Sequence, residues 1–298
     1  MSTVTRLSCS APAKLNVALF VGPVRAQDGR HELVTVFQPI DLVDQLAATL
    51  DPQAPGDEVR CPGVTGDNLA TAALAAYRAT TGWDGPPVIL EIEKRIPIAG
   101  GMAGGSADAA AALRLAAAFA QDTDIARLEA IAATLGADVP SQVQGRRVIG
   151  GGAGEQLRPS PAKPDWEAVI VPLDAQLSAG AVYAEADRLS PPRDADEIAQ
   201  LRVAVQQAER HGGVERAGLV INDLQRAAQR LCPQIDDALA RLRAEGAEHV
   251  IVSGSGPTVV GLFAPTEGEA AAVRIGVDRP VWLAYPEHRA TLERPRWP

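Results

Sequence analysis

Residues 96–113 read IPIAGGMAGGSADAAAAL, glycines and small residues running straight into an alanine-rich stretch. Upstream, PPVILEIEKR (86–95) sets Ile89, Glu91 and Glu93 among apolar neighbours and predicts a strand. Downstream, strong helix formers continue from Asp108 through Ala120, with Leu113, Leu115 and Phe119 as the larger apolar members. The order strand, glycine-rich loop, helix presents unpaired N–H groups and a partial positive charge to whatever sits at the helix start. Glycines let an anion approach the backbone closely, and phosphate is the natural one. A branched side chain at Gly104 is expected to fill the space where phosphate meets backbone. Ser106 adds a hydroxyl that could donate to a phosphate oxygen or bind a magnesium ion. A flexible loop under an ordinary helix would have the same composition, so the loop alone leaves both readings open. No G-x-x-x-x-G-K-S/T occurs, which excludes a P-loop, and a loop that opens a helix is not the glycine hairpin of a protein kinase.

Other residues of chemical interest are scattered. Lys14 and Asn16 stand in APAKLNVALFVG (11–22), a strand otherwise apolar, where a lone lysine is commonly just a solvated charge. A second glycine cluster, VSGSGPTVVGLF (252–263), reads by itself as a tight turn between strands. Asp138 in LGADVP is compatible with helix capping or a turn before Val139-Pro140. His31 reads as a surface histidine or a binding one, while His211, His249 and His288 belong to no motif. Cys9, Cys61 and Cys232 are far apart, with no C-x-x-C and no histidine at metal-ligand spacing. They predict neither structural disulfides nor zinc, and fit a reducing cytoplasm.

The elements that must carry these residues follow from periodicity. Two short strands broken around Pro12 are expected over 3–24 and two more over 31–50, then helices over 67–82, 108–120 and 124–135. Mixed strands with Gly and Pro breaks fill 146–174, and RPSPAKP marks a surface connection. Helices are expected near 179–189, 194–211 and 223–246, followed by strands HVIVSG and TVVGLFA. This is an α+β pattern in two domains, 1–158 and 159–298. A net charge of −9 disfavours nucleic-acid binding. No signal-peptide core or membrane-spanning apolar run is present, so no membrane association is expected.

Taken together, the three stretches around Lys14, the glycine loop and the second glycine turn resemble the GHMP kinase superfamily over nearly the whole chain. Within it they resemble the 4-diphosphocytidyl-2-C-methyl-D-erythritol kinases. PAKLN at 12–16 with Leu19, RAQDGRHELVT at 25–35, Pro97 to Ala111, LGADVP at 135–140, Asn222–Leu224 and Ser253–Gly256 carry the likeness. The resemblance implies an active site in the cleft between two domains. It implies ATP phosphates wrapped by the loop Pro97, Ala99, Gly100, Gly101, Met102, Ala103, Gly104, Gly105, Ser106 and Ala107, with Mg²⁺ at Ser106. Asp138 would be the general base and Lys14 its neighbour at the transferred phosphoryl. Asn16, Arg30, His31 and Tyr183 would hold a small substrate, methylerythritol linked to cytidine diphosphate. Such residue types suit phosphoryl transfer, whose loose transition state needs positioning and charge neutralisation. A carboxylate beside Lys14 would be a weak base but a good orienter of the hydroxyl.

Some positions depart from the family pattern. Arg30 stands where the family carries tyrosine, exchanging an aromatic ring for a guanidinium plane that could still lie over a base. Met102-Ala103 replaces Leu-Gly, and Ala107 replaces a second serine. The alternatives are a GHMP kinase for a homoserine- or mevalonate-type alcohol, and a non-catalytic nucleotide-binding regulator. The expected assembly is a monomer or weak homodimer, in the cytoplasm.

Overall fold

The computed structural model describes residues 5–98 and 100–287. The first half is a six-stranded sheet with helices on one side. Its centre is a hairpin of two long strands, β1 (Arg6–Val24) and β2 (His31–Leu50), paired antiparallel along their length. β2 pairs further with β4 (Val88–Glu93) and β5 (Val148–Gly151); β3 (Glu58–Arg60) lies parallel to β4, and β6 (Gln156–Pro159) closes the other edge. The helices are α1 (Leu69–Thr81), α2 (Gly104–Phe119), α3 (Ile125–Leu135) and α4 (Val139–Gln144). The second half is a four-stranded sheet of β7 (Glu167–Val171), β8 (His249–Val252), β9 (Val259–Phe263) and β10 (Trp282–Ala284), in the order β10-β7-β9-β8. With it go α5 (Ala179–Leu189), α6 (Ala195–Arg210), α7 (Gln225–Leu231), α8 (Gln234–Ala244) and α9 (Gly268–Ile275).

Four expectations need correction. Pro12 does not divide β1: the strand runs through, and the register with β2 shifts between Pro12 and Lys14. A bulge is where a strand tolerates a residue without an N–H. The two strands expected over 31–50 are likewise one, because β1 pairs with both ends of it. The helix expected over 223–246 is broken at Cys232-Pro233, where Cys232 is forced out of helical geometry by the following proline. Finally, α2 starts at Gly104 rather than Asp108, so Gly105 and Ser106 already belong to its first turn. α4, α9 and β10 are short and carry no periodicity that the sequence reading detected.

The halves share one core. The apolar cluster under the first sheet, formed by β1, β2, β4 and α1–α4, continues through Ile198 and Val205 of α6 to Ala168, Ile170 and Val260 of the second sheet. A second cluster packs Leu239, Leu242 and Ile275 against the opposite face of that sheet. α2 is buried at every position from Ala107 to Ala117, so it needs small side chains all round rather than one apolar stripe. Alanine supplies them.

Candidate active site

Each catalytic candidate is aimed by a local irregularity. Lys14 and Asn16, two apart on β1, project to the same side, and register shifts flank them at Pro12/Lys14 and Asn16/Ala18. Both are buried. The Lys14 Nζ donates to Asn16 Oδ1 at 2.5 Å and lies 3.3 Å from Asp138 Oδ2. Asn16 is fixed in turn, its Nδ2 donating to Thr35 Oγ1, which donates to the Ala18 carbonyl. The Phe37 ring lies 5.4 Å below the ammonium. Asp138 is the N-cap of α4, yet its side chain makes no capping bond and stands 37% exposed. Helix capping therefore does not account for it; its carboxylate turns to Lys14.

The glycine loop lies beside this pair, joined to the Lys14 backbone through Met102. Both border one cavity of about 600 Å³, in the range of small-molecule sites. Pro97, Gly100, Gly101, Ala103, Gly104, Gly105 and Ser106 line it from the first half, and Leu177, Tyr183, Leu224 and Gly254–Gly256 from the second. Met102 and Ala107 back the loop instead of lining the cavity: both are buried, and the Met102 carbonyl accepts the Lys14 N–H at 3.2 Å. Ala99 lies outside the described residues, as does His288. The loop is locked from across the cleft, since a Cβ on Gly101, at φ +72, would stand 2.3 Å from the Ser253 carbonyl.

Two loop positions behave differently from expectation. A Cβ on Gly104 would meet Ile96 at 3.1 Å and Lys94 Nζ at 3.3 Å, on the strand side rather than the phosphate side. Gly105 is the position facing open space, with only Leu69 Cδ1 at 3.8 Å. Ala103, one of the substitutions relative to the family, holds φ 56, ψ 34, a left-handed conformation unfavourable to any residue with a Cβ. Ala103→Gly is expected to stabilise the protein by about 1 kcal/mol, raising the urea midpoint with the slope unchanged.

Beneath the loop sits a buried triad that sequence reading missed. Lys94 Nζ bridges Asp44 Oδ2 at 2.5 Å and Asp108 Oδ2 at 2.7 Å. Burial pushes the Asp108 carboxyl up to about 7; Lys94 opposes the shift and Asp44 adds to it. Burial works against the charge on Lys94, but its two carboxylate partners more than offset this and raise its pKa. Lys94 and Asp108 both line the cavity, as do Cys61, Val64 and Asp67–Leu69 ahead of α1. No motif in the sequence announced that segment; Asn68 within it caps α1, accepting from the Ala70 N–H.

The expected substrate residues separate into two groups. His31 is buried and stacks on Tyr183, ring centroids 5.4 Å apart and planes 20° apart, with its Nδ1 on the Gly22 carbonyl and Nε2 3.3 Å from Asp187. Burial, helped by the nearby charge of Asp138, lifts the Tyr183 hydroxyl well above its usual range, so the ring is neutral. Asn16 and Tyr183 line the cavity, whereas His31 does not and stands behind the Tyr183 ring. Arg30 does not line it either. It is 47% exposed, and its Nε donates to Asp28 Oδ2 at 2.9 Å. The carboxylate of Asp28 also binds Arg25, which reaches Glu155, so the hairpin tip is closed on itself.

This architecture and its motifs match known families. Residues 68–146 match the GHMP kinases N terminal domain, and residues 201–277 match the GHMP kinases C terminal domain. A 4-diphosphocytidyl-2-C-methyl-D-erythritol kinase of Streptomyces avermitilis is 41% identical over 274 residues, covering 88% of this chain and 90% of that one. The crystal structure of a 4-(cytidine 5'-diphospho)-2C-methyl-D-erythritol kinase superposes with a TM-score of 0.76 at 32% identity, covering 94% of this chain and all of that one. The L. major mevalonate kinase shares the fold alone, with a TM-score of 0.71 at 14% identity over 94% of this chain and 96% of that one.

Proposed function

The chain belongs to the 4-diphosphocytidyl-2-C-methyl-D-erythritol kinases of the GHMP family, and on that premise we propose that it transfers the γ-phosphate of ATP to the 2-hydroxyl of 4-diphosphocytidyl-2-C-methyl-D-erythritol. The observation that carries the reading is Lys14 Nζ, 3.3 Å from Asp138 Oδ2, in the same cavity that the glycine loop lines. Asp138, engaged by Lys14 through Oδ2, has Oδ1 to receive the proton of the attacking hydroxyl. Lys14 sets its Nζ beside the transferred group, and Asn16 Oδ1 holds it there. The N–H groups at the start of α2 face the phosphates, where preorganised donors act without reorganising. The Ser106 hydroxyl lines the cavity and no metal-holding cluster of carboxylates occurs among the described residues, which suits a magnesium ion that would arrive on the nucleotide and keep most of its water. When bound, that ion neutralises phosphate charge.

In this reading the stacked pair Tyr183–His31 offers the cytosine its flat surface, and Arg30 is the solvated end of a hairpin. Tyr183→Ala is then expected to raise the substrate KM about tenfold, the scale of one lost base–aromatic stack. Arg30→Ala should change it less than about threefold, and neither variant should move the KM for ATP. Steady-state measurements varying each substrate in turn check this. The division into domains 1–158 and 159–298 is kept in this reading, supported by the end of β6 at Pro159. Three unpaired cysteines, two of them buried, support a reducing cytoplasm as the setting.

A coupled ADP-release assay over a panel of alcohols tests the function. Turnover with the cytidine diphosphate-linked methylerythritol, and at least a hundredfold less with homoserine or mevalonate, is the expected result. A preference for either of the latter would overturn the assignment.

A further inference from the structure

In the Asn222–Leu224 stretch of the family likeness Leu224 lines the cavity, but Asn222 has no part in the site described above. Its surroundings give it one. Residues 221–223 run beside β1: the Leu19 N–H donates to the Ile221 carbonyl at 2.7 Å, and the Asp223 N–H to the Leu19 carbonyl at 2.9 Å. Asn222, buried at that point, engages both ends of its side-chain amide. Its Nδ2 donates to the carbonyls of Val252 at 2.8 Å and Gly254 at 2.7 Å, and its Oδ1 accepts the Leu224 N–H at 2.9 Å. The opposite orientation of the amide would set an oxygen against two carbonyls, so the network admits one assignment.

The turn held in this way touches the reacting groups. A Cβ on Gly254 would lie 3.3 Å from Asn16 Oδ1, 3.7 Å from Lys14 Nζ and 3.2 Å from the Gly101 carbonyl. Ser253 Oγ donates to that same carbonyl at 3.1 Å. One amide therefore ties the strand that carries Lys14 and Asn16 to the turn that presses on the phosphate loop. We propose that Asn222 is a positioning residue for phosphoryl transfer, setting the Ser253–Gly256 turn against Lys14 and the loop; this rests on the kinase reading above. A displacement of about 1 Å at a reacting centre can cost a hundredfold in rate.

Its neighbour provides the control. Asp223 clips the same segment to β1, accepting from the Val21 N–H at 2.9 Å and pairing with Arg193 at 2.7 Å, but makes no bond to the turn. The test compares wild type, Asn222→Leu, Asn222→Asp and Asp223→Asn as full-length proteins. Asn222→Asp keeps the size and the bond from Leu224 while removing both donors. Three quantities are read: kcat per folded molecule, the Kd and stoichiometry of ADP by calorimetry, and hydrogen exchange of residues 253–258. Both Asn222 variants are expected to lose tenfold or more in kcat and to exchange faster over 253–258. Their ADP stoichiometry should stay near one and their Kd within about threefold. Asp223→Asn should melt earlier yet keep kcat within twofold and exchange over 253–258 as wild type does.

Unchanged exchange or unchanged kcat in the Asn222 variants would overturn the proposal. So would an equal fall in kcat in Asp223→Asn, or failure of both Asn222 variants to fold. Wild-type turnover is measured alongside, so a wrong substrate shows there, while exchange reads the turn without any substrate.

Discussion

Asp138→Asn is expected to lower kcat by roughly 10²–10⁴-fold while leaving ADP affinity within a few fold, the pattern of a lost general base. The asparagine preserves the size of the side chain and can still accept from Lys14, so the 3.3 Å contact has a successor in the variant. What it cannot do is take a proton from the attacking hydroxyl. Because Asp138 makes no capping bond to α4, the fold loses little by the change, and thermal melts should superpose closely. Lys14→Met is expected to damage kcat as well, by removing the buried cation that faces Asp138. It should also cost stability, since Asn16 Oδ1 loses its partner. Calorimetry with ADP and single-turnover kinetics separate binding from chemistry in both variants. An Asp138→Asn enzyme turning over at the wild-type rate would make the carboxylate a structural group.

The contrast between Asp138 and Arg30 shows where sequence was informative. Asp138 and the glycine loop sit in short motifs whose residues are all local, and backbone geometry alone brings them to a helix start or cap. Their meeting with Lys14, far earlier in the chain, came from resemblance to a family rather than from spacing. Arg30 was judged by the tyrosine it replaces, but the direction of a side chain at a hairpin tip depends on its neighbours. Here Asp28 claims the guanidinium at 2.9 Å. Lys94 and Asp44 were missed for a related reason. A lysine after a strand and an aspartate within another look like ordinary solvated charges until the fold buries them against Asp108. The strand break expected at Pro12 failed because proline was taken as a terminator, whereas a register shift accommodated it. At Cys232-Pro233 the same residue type did end a helix, where the missing N–H and the ring clash leave no such escape.

Gly105→Val should weaken nucleotide binding at least about a hundredfold, ~2.7 kcal/mol, while leaving the protein as stable as wild type or slightly more so. The two halves of that expectation come from one observation. Gly105 lies in the first turn of α2, exposed and free of contacts, with Leu69 at 3.8 Å as the sole neighbour of an added Cβ. A helical position with room for a side chain gains from replacing glycine, since glycine costs up to about 1 kcal/mol there relative to alanine. The room, however, belongs to the cavity: Leu69, Gly105 and Ser106 all line it. Two methyl groups there stand where phosphate oxygens must approach the N–H groups of the helix start, and those donors lose their anion. Gly105→Ala, with a single methyl, should fall between valine and wild type. Gly104→Ala should behave the other way round, lowering stability first, because its Cβ presses on Ile96 and Lys94 beneath the loop. Thermal melts and calorimetry with ADP on the three variants distinguish these outcomes. A folded Gly105→Val protein that bound ADP as tightly as wild type would place the phosphates somewhere other than the start of α2.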